Sequence, residues 1–178
     1  QLNSGVYRTG AARVGPGNQL LFHGDGKTAT VALMGNARGV VRISTNGKPD
    51  ASLTVTDADP TPDEATMIVA GTLALAHHPG AKLVANIGFG SGLTTDTLLS
   101  TSQLERVDTI EIEPFMVEAA RGFGARVARA FEDPRSHIHI EDAKTFFSTR
   151  AATYDVIVSE PSNPWVSGVA SLFSTEFY

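Results

Sequence analysis

The chain has 178 residues, 42% hydrophobic and 19% charged, which suits one globular domain with a small appended subdomain and a real core. A formal net charge of −5 argues against a nucleic-acid partner, because such binders need a basic surface to displace counterions. No cysteine is present, which excludes disulfides, thiolate metal sites and a cysteine nucleophile and fits a reducing, cytoplasmic setting.

Residues 1–57 carry the β signals. Apolar runs at 20–22 and 28–33 flank Asp25-Gly26, and runs at 40–44 and 51–55 flank Asn46-Gly47. Both dipeptides tolerate the positive φ of tight turns, so two hairpins making a small antiparallel sheet are predicted. Such a sheet leaves edges that need a cover.

Thr61-Pro62-Asp63-Glu64 opens a helix that runs to about residue 77, with a hydroxyl N-cap, a proline at the first helical position and a carboxylate at the third. The longest apolar run, 67–76, falls short of the ~20 residues a bilayer requires, so no membrane span is predicted. From Lys82 onward the pattern alternates: strand 83–87, helix 92–100, strand 107–112, helix 114–128, strand 138–140, helix 143–149, strand 154–159.

The alternation predicts an α/β fold, a Rossmann-like, methyltransferase-like, doubly wound parallel sheet over 58–178, preceded by the antiparallel β-hairpin subdomain over 1–57. The chain opens on Gln1 with no basic and apolar leader, and 172–178 reads as a helix stopped midway. A piece of a longer protein, incomplete at its C-terminal end, is therefore expected.

Four motifs carry chemistry. The apolar strand Leu83–Ile87 runs into Gly88-Phe89-Gly90-Ser91-Gly92, where missing Cβ atoms admit a ligand to the backbone and free amides at the helix start favour electron-rich groups. Taken alone, this is equally a tight strand-to-helix turn. Glu111, in Ile110-Glu111-Ile112-Glu113, follows about 20 residues on at the end of the next strand, where a carboxylate can hold both ribose hydroxyls. Its neighbour Glu113 reads as a solvated strand-end acid. Glu141-Asp142-Ala143 ends the third strand, where Asp142 can take an exocyclic amine of adenine and the Ala143 amide can donate to the ring. A helix N-cap at Asp142 explains the same residue, and both readings stand.

The fourth motif, YDVIVSEPSNPW at 154–165, is a buried strand that delivers an acid, an amide, two prolines and the one tryptophan to the carboxyl edge of the sheet. Open α/β sheets bind ligands at that edge. Asp155, at the strand's start, reads as structural. No metal site is predicted: His77 and His78 are adjacent on a helix, and His137 and His139 alternate on a strand without a third ligand.

In this order, the glycine loop, IEIE, EDA and YDVIVSEPSNP resemble the spermidine synthases, or polyamine aminopropyltransferases, over about residues 20–178. The resemblance is nearest to spermidine-synthase-like domains fused to membrane segments. It implies that Gly88, Gly90 and Gly92 lie beside a sulfonium nucleoside, that Glu111 holds its ribose and that Asp142 with Ala143 reads adenine. It places Glu160 on the catalytic acid, with Asn163 beside it, and puts Asp63, Glu64 and Trp165 on the substrate side. It also implies a homodimer and a small amine or polyamine as acceptor.

Three departures from the family pattern stand out. Ser91 replaces the loop aspartate, Glu160 and Asn163 replace two aspartates, and Met67 stands where a substrate-contacting tyrosine is expected. With serine in the loop, the co-substrate is either decarboxylated S-adenosylmethionine or S-adenosylmethionine. Aminopropyl transfer to an amine is the leading expectation. An S-adenosylmethionine-dependent methyltransferase, suggested by Asn163-Pro164-Trp165, and a non-catalytic nucleoside sensor within a larger membrane protein remain as alternatives.

Overall fold

The computed structural model describes residues 17–160 and 170–177. β1 (Asn18–Asp25), β2 (Thr30–Asn36), β3 (Val40–Thr45) and β4 (Lys48–Thr54) form one antiparallel meander in chain order, where two hairpins are predicted. The extra join is a turn at Asn36: its side-chain oxygen accepts from the amides of Arg38 at 2.9 Å and Val40 at 3.2 Å. Asn46 and Gly47 adopt φ values of 50° and 77°, the mirror-image turn that matches strand twist. β2 and β4 begin and end a few residues away from the predicted 28–33 and 51–55, since pairing across the sheet sets their ends.

α1 (Pro62–His77) leads into β5 (Leu83–Ile87), α2 (Leu93–Leu98), β6 (Arg106–Glu111) and α3 (Pro114–Ala120). A 3-10 segment, Arg121–Val127, then precedes α4 (Ala128–Glu132), β7 (Ser136–Ile140), α5 (Ala143–Thr149) and β8 (Val156–Ser159). The predicted helix 114–128 is thus broken. Gly124 sits at φ 56° and ψ −132°, outside helical space, and a run of good helix formers cannot bridge it.

These four strands pair in parallel in the order β7-β6-β5-β8. Val84 and Val107 pack with Leu98 and Leu99 on one face, while Ala85, Ile87 and Ile110 pack with Phe146 on the other, so the sheet is doubly wound. The chain leaves β5 toward β6 on one side and returns to β8 on the other. The loops after β5 and β8 therefore flank the point where strand order reverses, the crevice such sheets use for ligands.

Val31, Leu33, Ile43 and Leu53 of the meander share a core with Phe89, Leu93, Met116 and Phe123. The antiparallel sheet is thereby packed against the segment that follows β5. Among the described residues no helix is long and apolar enough to cross a membrane, and no three His, Asp or Glu side chains gather as metal ligands.

Candidate active site

The turn after β5 is shaped by its glycines: Gly88, Gly90 and Gly92 have φ of 92°, 53° and 87°, which side chains with a Cβ rarely adopt. A Cβ on Gly90 would meet nothing within 4 Å, so this glycine borders open space, whereas one on Gly92 would strike the Phe89 ring at 2.9 Å. Beneath the turn, buried Asn86 donates to the Gly88 carbonyl at 3.1 Å and to Thr95 Oγ1 at 3.2 Å. Thr95 in turn meets Thr109 Oγ1 at 2.8 Å, so a polar ladder inside the sheet pins the loop.

Glu111 ends β6 at 8% exposure. Its Oε2 accepts from the Phe89 amide inside the glycine turn and its Oε1 from the Glu113 amide, each at 2.9 Å. A carboxylate has about four lone-pair positions, and the Ile112 amide also acts on this one, so it keeps room for a further donor. Burial pushes its carboxyl up, the amides oppose that, and the charge of Asp50 adds to the rise. Beside it, Ile112 and Ile140 at the ends of β6 and β7 stay 50% and 49% exposed, an apolar flank at a polar strand edge.

Glu160 follows β8 directly. Its amide donates to the Ile87 carbonyl at 3.0 Å, extending the pairing with β5, and its Oε2 accepts from Thr94 Oγ1 at 2.5 Å. Burial raises this carboxyl and the Thr94 hydroxyl lowers it. Glu111 and Glu160 are both bonded to the glycine turn or to the first turn of the helix after it.

The remaining predicted residues divide. Ser91 is fully buried, accepts from the Leu93 amide at 3.2 Å and donates to Met67 Sδ at 3.1 Å, so the loop carries no charge at this position. Asp142 caps α5 through Oδ1, which accepts from Thr145 N at 3.0 Å and Thr145 Oγ1 at 3.2 Å, while Ala143 starts that helix. Asp63 accepts from Ser52 Oγ at 2.6 Å. Glu64 is buried, takes the amides of Thr54 at 2.7 Å and Thr61 at 2.9 Å, and pairs with Arg126. Its lone pairs tie the meander to α1 and to the 3-10 segment. Asn163 and Trp165 lie outside the described residues.

Glu113 is a correction to the sequence reading. Rather than a solvated acid, it is 3% exposed, because the β1–β2 hairpin turn folds onto it. Its Oε2 accepts from Thr28 N at 3.1 Å, Thr28 Oγ1 at 2.6 Å and Ala29 N at 3.3 Å, and its Oε1 accepts from Phe115 N at 3.2 Å. A Cβ on Gly26 would come within 2.1 Å of this carboxylate, so the turn's glycine serves close approach.

Sequence reasoning also passed over Asn86, Thr94 and Asp50. Asn86 in an otherwise apolar strand is the one local signal among them. Asp50 is the extra residue of a β-bulge: Ile43 faces Ala51 and Ser44 faces Pro49, leaving Asp50 without a cross-strand mate.

A family model described as the spermine/spermidine synthase domain matches residues 65–178. The chain is 34% identical over 106 residues to a polyamine aminopropyltransferase of Alkaliphilus oremlandii, covering 60% of this chain and 37% of that one. It is 35% identical over 107 residues to spermidine synthase 1 of Hyoscyamus niger, covering 60% and 34%. Among solved structures, a spermidine synthase in complex with the transition-state analogue AdoDATO superposes with a TM-score of 0.77 at 22% identity, over 90% of this chain and 52% of that one. A spermidine synthase from Thermotoga maritima gives 0.74 at 22% identity, over 90% and 51%. At that identity the likeness shows the fold. The matched region amounts to about a third of the length of the curated relatives and about half of the solved chains.

Proposed function

The chain belongs to the spermine/spermidine synthase family, and from that premise we propose that it binds a sulfonium nucleoside at the carboxyl edge of its parallel sheet and transfers an aminopropyl group to an amine. One observation carries the reading: Glu111 and Glu160 stand on either side of the strand-order reversal, the first bonded to Phe89 in the glycine turn and the second to Thr94 just beyond it. Nucleoside and proton acceptor then share one crevice.

The residues suit decarboxylated S-adenosylmethionine. Open space at Gly90 lets the ligand approach the backbone, Glu111 offers its remaining acceptor capacity to ribose hydroxyls, and Ile112 with Ile140 gives a planar base an apolar flank. Asp142 Oδ2 and the Ala143 amide are the groups proposed to read adenine. A sulfonium supplies an electrophilic carbon and a neutral thioether leaving group.

The acceptor amine, with an ordinary pKa near ~10.4, must arrive neutral and aimed. Glu160 is assigned the proton: as the nitrogen lone pair forms the new C–N bond and the C–S bond breaks, the proton on nitrogen passes to its carboxylate. Burial raises the affinity of Glu160 for that proton. Asp63, Glu64, Asn163 and Trp165 remain proposed for the amine side, Glu64 acting from behind through the meander. We also propose a cytoplasmic homodimer in which a second copy covers an edge of the antiparallel sheet, a point light scattering tests.

Ser91 favours a second reading. An uncharged loop neither pairs with an aminopropyl ammonium nor repels the carboxylate of ordinary S-adenosylmethionine, so methyl transfer is the competitor. Incubation with decarboxylated S-adenosylmethionine and putrescine, spermidine or cadaverine should release methylthioadenosine. Release of S-adenosylhomocysteine from S-adenosylmethionine instead assigns methyl transfer. Nucleoside binding with silence in both assays assigns a sensor.

A further inference from the structure

Thr94, in the first turn of α2, is 3% exposed, and its hydroxyl lies between two acceptors: Glu160 Oε2 at 2.5 Å and the Met67 carbonyl at 3.4 Å. A hydroxyl has one hydrogen and two lone pairs, so it donates to one acceptor at a time. With Glu160 ionised, the hydrogen goes to Oε2, the shorter contact. With Glu160 protonated, the carboxyl O–H donates to the Thr94 oxygen and the threonine hydrogen turns to Met67. The Met67 carbonyl, inside α1, keeps a second lone pair beyond its helical bond. In both protonation states of the acid, therefore, the Thr94 hydrogen keeps an acceptor and the Thr94–Glu160 bond is kept.

We propose that Thr94 is the positioning residue for Glu160, holding one carboxylate oxygen in place and handing its own hydrogen between Glu160 and Met67 as the acid gains and loses a proton. The inference rests on the reading of Glu160 as the proton acceptor. A glutamate has three side-chain torsions to freeze, so a tether on one oxygen keeps the other aimed at the incoming amine.

Two effects act on the Glu160 carboxyl: burial, which raises it, and the Thr94 hydroxyl, which lowers it. The segment after it, PSNPWVSGV at 161–169, carries no ionisable side chain. Removing the hydroxyl leaves burial unopposed, so Glu160 titrates at higher pH.

The test uses the full chain, with the Glu160 carboxyl carbon followed by NMR titration after 13C-glutamate labelling and assigned through its loss in Glu160→Gln. In Thr94→Val, which keeps the shape, the midpoint should move to higher pH. The acid limb of kcat/KM should move with it, and kcat should fall roughly tenfold, the loss expected for one hydrogen bond to a charged group. Thr94→Ser should restore both. If valine prevents folding, Thr94→Ala gives the same readout. An unmoved midpoint in a folded variant lacking the hydroxyl overturns the inference while a dead Glu160→Gln keeps the parent reading. Full turnover in Glu160→Gln overturns both.

Discussion

On β6 two buried carboxylates meet opposite fates, Asp108 within the strand and Glu111 at its end. Asp108 accepts two bonds from Arg106 at 2.7 and 2.8 Å, one from His139 Nε2 at 2.5 Å and one from the Tyr154 hydroxyl at 3.1 Å. These partners outweigh burial and hold its carboxyl below the usual range, while burial and the nearby Asp108 charge push the Tyr154 hydroxyl up to about 12. Glu111, despite its backbone amide partners, and Glu160, despite the Thr94 hydroxyl, are instead pushed up by burial. Glu64 and Glu113, each taken up by several donors, fall with Asp108. Asp108, Glu111, Glu64 and Glu113 are buried and Glu160 is half-buried, so burial alone does not separate the two kinds. The balance of donors against burial singles out the two at the crevice, and carboxyls raised in this way are the ones an incoming proton can use.

If the comparison is right, the two groups fail differently when altered. Glu160→Gln should lower turnover by about 10²–10⁴-fold, the usual worth of a positioned base, with nucleoside affinity retained in calorimetry. Turnover near that of the parent protein would strip the acid of its role.

Asp108→Ala should cost about 2–4 kcal/mol of stability in urea unfolding, since it strands the Arg106, His139 and Tyr154 donors together, and should leave the nucleoside dissociation constant where it was. A clear loss of binding at unchanged stability would reverse the assignment of the two regions. Glu111→Ala should weaken adenosine-type ligands by about 1.5–3 kcal/mol in a binding titration, the range for hydrogen bonds to a charged group.

The smallest effect is on pH dependence. Asp108, Glu64 and Glu113 have folded values below their unfolded ones, so their stabilisation is present above pH ~4 and is lost as pH falls through the folded values. For Glu111 and Glu160 the sign is opposite: the fold favours their protonated form, and that contribution is lost as pH rises from the unfolded value through the folded one. Glu160→Gln should therefore raise the melting temperature at neutral pH, read by calorimetry, and Asp108→Ala should flatten the loss on the acid side. A lower melting temperature for Glu160→Gln at neutral pH would contradict the crevice side of the comparison.

The alternation of strands and helices from β5 to β8, the turns after β1 and β3, the glycine turn after β5, and Glu111 and Glu160 at strand ends were legible in the sequence, because each rests on local chemistry. Strand and helix periods, turn dipeptides and caps act over a few residues and leave a pattern in one segment. Tertiary structure alone decided that Glu113 receives Thr28, that Glu64 receives Thr54 and Arg126, and that Thr94 reaches Glu160. It also decided that the chain after α3 breaks at Gly124, where it passes beneath the meander and Leu33 would lie within 2.2 Å of any Cβ on Gly122. Such bonds join positions as far apart as 85 residues, so no period or spacing in the sequence encodes them; they exist because two sheets with separate local logic must bury one common core.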